Sequence, residues 1–490
     1  MDEEKQPSAE ALAATGIDGL DAILQGGFPR NHAYLVQGDP GAGKTTLSLQ
    51  FLLEGARAGD VSLYITLAET KKELNAVASS HGWSLDTIHV HEQLVREETL
   101  REQGETTIFH PAEIELGQTI RAILDEVDRV KPDRLIIDSL SEIRLLSQSS
   151  LLYRKQILAL KQYFAKRGIT VLFLDDRTGD GNDLQLHSVP HGVVVLERRA
   201  PLYGAPRRRL EVVKLRGVEF RGGYHDFLIR PGGILVFPRL VAADHEPVFD
   251  DAAMPSGIAE LDALVGGGLD HGSSTLLLGP AGVGKSTIAV QYAIAAAERG
   301  EHAAVFIFDE SRKTLLTRTR GLGMNLDAHL DSGRISVQQI DPAEMAPGEF
   351  ADLVCKAVEN DGATVVIIDS LNGYLHAMPE ERFLTLHLHE LLTFLGNRGV
   401  VTIMVMAQHG LIGPNMVSAV DVSYLADCVL LLRYYELDGE LHKVVSVMKK
   451  RSGAHERAIR ELSMTGDGIA IGEPLTNLRG ILSGIPVLTR

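Results

Sequence analysis

Apolar residues along this chain form short runs that alternate with longer helix-like stretches. The runs Arg134–Leu140 and Val365–Leu371 are rich in β-branched residues, a composition typical of strands buried on both faces of a parallel sheet. Helix-like stretches follow at Leu151–Lys166 and Glu381–Asn397, and another apolar run follows each of them. Strands that alternate with helices predict an α/β fold, a mostly parallel sheet with helices on both faces.

The same order of elements occurs twice. The segment Gly16–Asp21 recurs as Gly257–Asp262, 241 positions later, and each half ends in a predicted hairpin. This internal similarity indicates two homologous domains. A chain of 490 residues is also longer than one ordinary hydrophobic core accommodates. We predict a first domain over 1–245 and a second over 246–490, with the junction in the polar, proline-containing stretch Ala242–Pro255.

A glycine-rich loop lies between a predicted strand and a predicted helix in each half. Both loops, GDPGAGKT and GPAGVGKS, fit the GxxxxGK[ST] pattern of a P-loop. Their glycines let the backbone bend, so that successive amide N–H groups and the positive end of the following helix surround a polyphosphate. The sequence therefore predicts two ATP sites, formed by Gly38, Asp39, Pro40, Gly41, Ala42, Gly43, Lys44, Thr45 and Thr46, and by Gly279, Pro280, Ala281, Gly282, Val283, Gly284, Lys285, Ser286 and Thr287.

Each loop ends in a lysine and a hydroxyl residue with distinct expected roles. We expect Lys44 and Lys285 to reach the outer phosphates as point charges. The hydroxyls of Thr45 and Ser286 are the expected Mg²⁺ ligands of the loops.

An aspartate ends a buried strand in each half, at Asp138 and Asp369. This is the position where a Walker B aspartate holds magnesium, usually through water. Strand-end aspartates are also common helix caps. The paired P-loops favour the magnesium interpretation.

Acidic residues after the preceding strand differ between the halves. A carboxylate beside the γ-phosphate would orient an attacking water or hydroxyl. The second half offers Asp309 and Glu310 for this catalytic role, whereas the first offers Glu69 after Ala68. The alternative is that these residues are solvated strand-end acids.

Each predicted hairpin carries a lysine and an arginine two positions apart, Lys214 with Arg216 and Lys449 with Arg451. On a strand, such residues project from one face, and a point charge beside a planar guanidinium suits a phosphate. They lie far along the chain from their own P-loop, so the nucleotide of a neighbouring subunit is one target. A solvated, charged sheet edge is the alternative.

Composition narrows the class of protein. The 48 basic and 65 acidic residues give a formal net charge of −17, which opposes general attraction to nucleic acid or an anionic membrane. Cys355 and Cys428 form no disulfide framework or CxxC pair, which favours a reducing cytoplasm. The N-terminus is acidic and polar, and no apolar stretch has the roughly 20 residues of a membrane helix.

Tandem P-loops, IIDS strands and the K-x-R hairpin segment KKRSGAHERAIREL resemble the KaiC family, RecA-superfamily ATPases of circadian clocks. The resemblance covers nearly the whole chain. It implies two tandem RecA-like P-loop domains in a double-ring homohexamer, with Mg²⁺-ATP between subunits. It further implies slow hydrolysis in the first ring, serine/threonine autophosphorylation in the second, and a catalytic role for the acidic pair. The K-x-R residues would contact the ATP of the adjacent subunit.

The family's adjacent Ser and Thr phosphoacceptors correspond here to Ser423 and Tyr424. A tyrosine hydroxyl lies farther from the backbone than a threonine hydroxyl, so Ser423 is our candidate acceptor, with Ser418 and an ordinary serine as alternatives. The chain ends at Arg490, where family members continue into a tail gripped by an activating partner, so we expect no control of that kind.

Three functional hypotheses follow. The first is an ATP-driven signalling enzyme with autokinase activity in the second domain. The second is a nucleotide-switched scaffold that exposes a surface to an unknown signalling protein; Ala68 and Tyr424 motivate it. The third, a recombinase or helicase motor, is disfavoured by the negative net charge.

Overall fold

The chain folds into two compact units, Met1–Arg239 and Leu240–Arg490. A computed structural model describes residues 11–93, 111–147, 149–177, 186–201, 203–241, 253–376, 384–408, 422–483 and 487–488. The predicted boundary between 245 and 246 lies outside the described residues. No helix in these ranges is long and apolar enough to span a membrane.

The first unit is built on a nine-stranded sheet. The strands are β1 (Leu12–Ala13), β2 (Phe28–Pro29), β3 (Ala33–Gly38), β4 (Ser62–Thr66), β5 (His89–Glu92), β6 (Arg134–Asp138), β7 (Thr170–Asp176), β8 (Gly192–Arg199), β9 (Arg207–Leu215), β10 (Tyr224–Arg230) and β11 (Gly233–Phe237). The strand order of the sheet is β11-β10-β9-β8-β3-β7-β6-β4-β5. The strands from β8 to β5 in this order are parallel, and β9 to β11 extend the sheet in antiparallel fashion. The helices are α1 (Asp18–Ile23), α2 (Lys44–Arg57), α3 (Lys71–Ser80), α4 (Pro111–Val130), α5 (Leu140–Leu146) and α6 (Ser150–Ala165).

The second unit repeats this architecture. Its strands are β12 (Ala253–Met254), β13 (Leu269–Asp270), β14 (Ser274–Gly279), β15 (His302–Ile307), β16 (Ile335–Gln339), β17 (Ala363–Asp369), β18 (Val401–Ala407), β19 (Cys428–Leu437), β20 (Glu440–Lys450), β21 (Arg460–Thr465), β22 (Gly468–Pro474), β23 (Leu478–Arg479) and β24 (Val487–Leu488). The strand order of its sheet is β16-β15-β17-β18-β14-β19-β20-β21-β22. Its helices are α7 (Ala259–Leu264), α8 (Lys285–Glu298), α9 (Arg312–Gly321), α10 (Leu326–Asp331), α11 (Pro347–Glu359), α12 (Leu371–His376) and α13 (Leu384–Asn397), with a 3₁₀ turn at Ile481–Ser483.

The parallel part of the first sheet is buried on both faces. Successive side chains of a strand point to opposite sides, so each strand contributes to two cores. In β3, Tyr34 and Val36 join the core beneath α2, whereas Leu35 joins the core on the other face, with Ile123 of α4 and Phe164 of α6. Both faces need apolar cover, so the strands contain continuous apolar runs. The predicted α/β class and the two tandem RecA-like units are confirmed.

One charged residue lies deep in the first unit. The side chain of Arg134, at the start of β6, is 1% exposed. Its Nε donates to Oδ2 of Asp60 at 2.7 Å, and its Nη1 donates to the carbonyls of Ala14 and Phe51. Asp60 also binds Arg30 through two hydrogen bonds. The buried guanidinium therefore has both a counter-charge and hydrogen-bond acceptors, the condition under which an ion is tolerated inside a protein.

Candidate functional site

Each P-loop connects the carboxyl end of the central strand to the first turn of a 14-residue helix. The residue before each helix is a glycine in the left-handed region, Gly43 with φ 111° and Gly284 with φ 115°. A Cβ atom at Gly43 would be strained at this φ and would lie 2.7 Å from Cδ1 of Ile229, which would have to shift, so glycine is favoured there mainly for its conformation. The strand, loop and helix order predicted from the pattern is the one observed.

The loop backbone suits a polyphosphate. The first intrahelical bond of α2 runs from the Leu47 amide to the Gly43 carbonyl, and that of α8 from the Ile288 amide to the Gly284 carbonyl. The amides at the start of each helix therefore have no intrahelical acceptor and, with the helix dipole, favour an anion. A side chain at Gly41 would meet nothing within 4 Å, so the first cradle is open at that point.

The two P-loop lysines differ in their surroundings. Lys44 Nζ donates to the carbonyls of Gly38 and Asp39 at 2.8 and 3.2 Å, and lies 2.8 Å from Oδ1 of Asp176. Lys285 Nζ donates to the matching carbonyls of Gly279 and Pro280, at 2.9 and 2.7 Å. Burial lowers the pKa of Lys285 to about 8.

The first strand-end aspartate, Asp138, lies beside the P-loop with a tyrosine as partner. The Tyr64 hydroxyl donates to Oδ2 of Asp138 at 2.5 Å. Burial raises the pKa of the Asp138 carboxyl, and the Tyr64 hydrogen bond and the Lys44 charge oppose this effect. The helix that follows has Ser139, not the aspartate, at its N-cap. These contacts place Asp138 within the site and give no support to the capping alternative.

The second strand-end aspartate, Asp369, has a different partner. Burial raises the pKa of its carboxyl, while a hydrogen bond with the Ser286 hydroxyl of the P-loop opposes the shift. The expected Mg²⁺ ligands Ser286 and Asp369 are thus adjacent. A carboxylate and a hydroxyl are hard oxygen ligands of the kind that Mg²⁺ binds.

The acidic residues after β4 and β15 lie at the same sheet edge as the P-loops. Oε2 of Glu69 is buried and has no hydrogen-bond partner in the described part of the chain. Burial raises the pKa of Glu69, and the nearby charge of Asp138 adds to the shift. Glu310 instead pairs with Arg318 at 2.8 Å; burial raises its pKa and the guanidinium opposes the shift.

The leading acid of the second unit, Asp309, accepts a short hydrogen bond from the hydroxyl of Ser370. Ser370 directly follows Asp369, so this bond joins the acidic pair to the predicted magnesium-binding strand end. Ala68, which occupies the matching position of the first unit, is exposed and offers no acceptor. The difference inferred from the sequence is therefore also a difference in local bonding.

The K-x-R pairs lie beside the amino ends of the parallel strands, whereas the P-loop of the same unit follows the carboxyl end of the central strand. Lys214 pairs in register with Val193, near the start of β8, and its Nζ donates to the His187 carbonyl at 2.5 Å. Arg216 donates to the Ser188 carbonyl at 3.0 Å. Both cations thus bind the turn before β8. The arginine lies one residue beyond β9, so the prediction that both residues occupy a strand is wrong at that residue, because pairing ends at Leu215.

The second unit repeats this arrangement on the candidate acceptor segment. Lys449 Nζ donates to the carbonyls of Ser423 and Ala426, at 3.1 and 2.7 Å. Arg451 donates to the Tyr424 carbonyl at 2.6 Å and pairs with Asp427 at 3.2 Å. Arg451 also lies one residue past its strand, β20.

The candidate acceptor Ser423 is half-buried, and the Tyr424 side chain beside it is exposed. Tyr424, Arg451 and His389 line a cavity of about 570 Å³ between the turn and α13. Ser418, the alternative acceptor, lies outside the described residues.

Three residues of these sites escaped sequence reasoning: Tyr64, Asp176 and Arg318. Tyr64 is an apolar position of a buried strand in the sequence pattern, and nothing local indicates that its hydroxyl reaches Asp138. Arg318 lies eight residues after Glu310 on α9. Asp176 gave a usable signal, since DD at the end of an apolar run is unusual for a buried strand.

Fold and site together define a class, P-loop ATPases with two tandem RecA-like domains. A family model for the KaiC ATPase matches residues 13–241 and 254–476, and the chain belongs to that family. It is 28% identical over 479 residues to the circadian clock protein KaiC3 of Synechocystis sp., covering 97% of this chain and 94% of that protein. The circadian clock oscillator proteins KaiC of Acaryochloris marina and Synechococcus elongatus are each 26% identical, covering 96% and 98% of this chain and 90% and 92% of their own lengths.

Proposed function

We propose that this KaiC-family ATPase is a signalling enzyme that binds Mg²⁺-ATP in both units and phosphorylates its own Ser423 from the second. The observation that carries the proposal is the set of charged residues at the carboxyl end of the parallel strands in the second sheet. There Lys285, Asp369, Asp309 and Glu310 lie around one P-loop, and Ser370, which directly follows Asp369, donates a hydrogen bond to Asp309.

The chain offers a complete set of groups for phosphoryl transfer. The loop amides and Lys285 would hold the phosphates, and Ser286 with Asp369 would hold Mg²⁺, which neutralises charge developing on the phosphates. Asp309 and Glu310 would orient the attacking hydroxyl or water. The raised pKa of Glu310 brings this carboxyl closer to the range in which a general base works well. In the first unit, Glu69 would be the corresponding carboxylate, and Thr45 and Asp138 would hold Mg²⁺.

The position of Ser423 supports transfer between subunits. The serine precedes β19, whose first residue pairs with Thr275, four positions along β14 from Gly279 of the P-loop. Thr275 and Gly279 are about 13 Å apart at about 3.3 Å per residue. The acceptor turn bonds to Ser274 at the start of β14 through Leu425 and Asp427, at the strand end opposite the phosphate cradle of its own unit. A neighbouring copy in a homohexameric ring would supply the ATP, and Lys449 and Arg451 would lie between that ATP and the acceptor. By the same argument, Lys214 and Arg216 would contact the ATP of the neighbouring copy in the first ring.

Mixed oligomers test this proposal. Two tagged variants are co-expressed, Lys285→Ala, which lacks the phosphate-binding lysine, and Ser423→Ala, which lacks the acceptor. With γ-labelled ATP, we expect label on Ser423 of the Lys285→Ala chain when both variants are present, and none on either variant alone. The Ser423→Ala chain provides the intact P-loop.

Controls separate failure of transfer from failure of binding. Calorimetry with Mg²⁺-ATP on each variant establishes which sites bind. Wild-type protein that binds nucleotide in the second unit but never carries label in the tryptic peptide containing Ser423 would remove the kinase proposal and leave the ATPase. Label on Tyr424 instead would place the acceptor one residue later.

A nucleotide-switched scaffold is the second candidate, favoured by the exposed Tyr424 at the family's second acceptor position and by Ala68. Replacing Asp309 and Glu310 together by Asn and Gln removes the proposed chemistry but keeps the P-loop. A scaffold would bind its partner protein equally well after this change, as measured by pull-down with and without ATP. Loss of partner binding would argue against it.

A further inference from the structure

All three N–H donors of the Lys44 ammonium group have an acceptor inside the first unit. Two are the carbonyls of Gly38 and Asp39, and the third is Oδ1 of Asp176, 2.8 Å from Nζ. An ammonium group has three donors and no more. A phosphate oxygen can therefore bind Lys44 only if it displaces one of these acceptors, and a side chain moves more easily than the loop backbone.

The described part of the second unit shows no such acceptor at the matching strand position. Strand register places Asp176 beside Gly38 in the first unit and Ala407 beside Gly279 in the second. The alanine side chain cannot accept a hydrogen bond. Among the described residues, Lys285 Nζ donates to the two loop carbonyls alone, which leaves its third donor for a phosphate.

The charge and exposure of Asp176 suit a displaceable contact. Its side chain is 44% exposed, whereas that of Lys44 is 11% exposed. The carboxylate can therefore swing into water while the lysine stays in place. Until it moves, its negative charge stands beside the phosphate position and repels the triphosphate.

We propose that Asp176 is an internal competitor for phosphate on Lys44 and that it lowers the nucleotide affinity of the first site. This inference rests on the proposed function, because it requires that both P-loops bind nucleotide. The affinity of the first site then depends on Asp176, at the end of the strand beside its P-loop, where the second unit has Ala407.

The test isolates each site within the full-length chain. A Lys285→Ala background silences the second site, and calorimetry with Mg²⁺-ATP then measures the first site with and without Asp176→Ala. We expect Asp176→Ala to tighten first-site binding about tenfold, since a partly exposed ion pair and a like-charge repulsion are removed together. Asp176→Asn, which keeps the shape but loses the charge, is expected to give most of this gain.

The reciprocal substitution is the matched control. In a Lys44→Ala background, Ala407→Asp is expected to weaken Mg²⁺-ATP binding to the second site about tenfold, because it creates the missing competitor. Circular dichroism and the thermal midpoint of each variant verify folding. Should Asp176→Ala fail to fold, Asp176→Asn and Ala407→Asp still decide the question.

The outcomes differ for the two proposals. Wild-type protein with no nucleotide bound at either site overturns both. Nucleotide binding with unchanged or weaker first-site affinity in Asp176→Ala and Asp176→Asn overturns the competitor alone. If ATP hydrolysis by the first unit falls while its affinity stays constant, Asp176 is instead a catalytic carboxylate that replaces the one missing at Ala68, and the competitor is likewise overturned.

Discussion

The hydroxyl of Tyr64 donates a 2.5 Å hydrogen bond to Oδ2 of Asp138, and a valine, Val305, takes the place of that tyrosine in the second unit. Tyr64 lies two positions before the residue that pairs with Asp138, so its side chain crosses from β4 to the strand end of β6. The bond fixes the orientation of a carboxylate that we propose as a magnesium ligand.

Tyr64→Phe removes this bond and keeps the ring. Partners of metal ligands typically contribute about 10- to 100-fold to metal affinity. We therefore expect the Mg²⁺ concentration that half-saturates first-site ATP binding to rise about tenfold. Magnesium titration of nucleotide binding in a Lys285→Ala background measures it. The magnesium dependence of the second site, measured in a Lys44→Ala background, should stay constant; equal shifts at both sites would indicate a general effect on folding.

Arg451→Ala tests the proposed contact across a subunit interface. The Arg451 side chain is 54% exposed and its partner Asp427 is 31% exposed, so the pair contributes little to stability. Loss of a cation that faces a transferring phosphate typically costs about 100-fold in rate. We expect phosphate transfer to Ser423 to fall by about that factor with a nearly constant thermal midpoint.

Arg216→Ala is the matched control for this prediction, because Arg216 holds the equivalent turn of the first unit. It should leave label transfer at Ser423 unchanged and affect hydrolysis in the first unit. If Arg451→Ala lowers thermal stability in proportion to activity, its role is structural.

The burial of His225 leads us to expect that the free energy of unfolding of the first unit depends on pH. The ring is fully buried; Nδ1 accepts from the Arg239 amide and Nε2 donates to the Arg221 carbonyl. Burial lowers its pKa from 6.5 to about 4. The neutral form is favoured in the folded state, so stability is fully present above pH 6.5 and is lost as pH falls toward 4, by up to about 3 kcal/mol.

His225→Gln removes this titrating group. Urea unfolding of wild type and variant at pH 7.5 and pH 5.0 gives the change in unfolding free energy for each. We expect the wild type to lose about 2 kcal/mol more than the variant between these values, as follows from the separation of the two pKa values. An identical pH dependence in both proteins would show that His225 does not titrate in this way.

The buried pair Arg134 and Asp60 predicts a large effect on stability. Asp60→Ala leaves the Arg134 guanidinium buried without a counter-charge, which typically costs about 3–5 kcal/mol. Denaturant unfolding of the first unit measures this cost. Asp327→Ala breaks an ion pair on the surface, with Arg320, and should have little effect. Similar losses in both variants would contradict the assigned role of burial.

The strand, loop and helix of each P-loop were predictable because the pattern that specifies them lies in contiguous residues. Glycines, lysine and hydroxyl follow one another within one turn, and the backbone they require is local. Asp138 and Asp369 were predictable for a related reason, since strands buried on both faces are continuous apolar runs whose ends are visible. The Lys44 to Asp176 ion pair was not, because its members are 132 positions apart (176 − 44) and meet only through pairing of β3 with β7.

The sequence by itself determined the duplicated α/β architecture, the two phosphate loops and the asymmetry between Ala68 and Asp309, since each depends on local composition or on repetition. Tertiary structure alone decided which groups surround each lysine and aspartate. Neighbouring strands in a parallel sheet come from distant segments of the chain, so the contacts of Tyr64, Asp176 and the K-x-R residues depend on strand order and register. Those contacts distinguish two sites that have nearly the same local sequence.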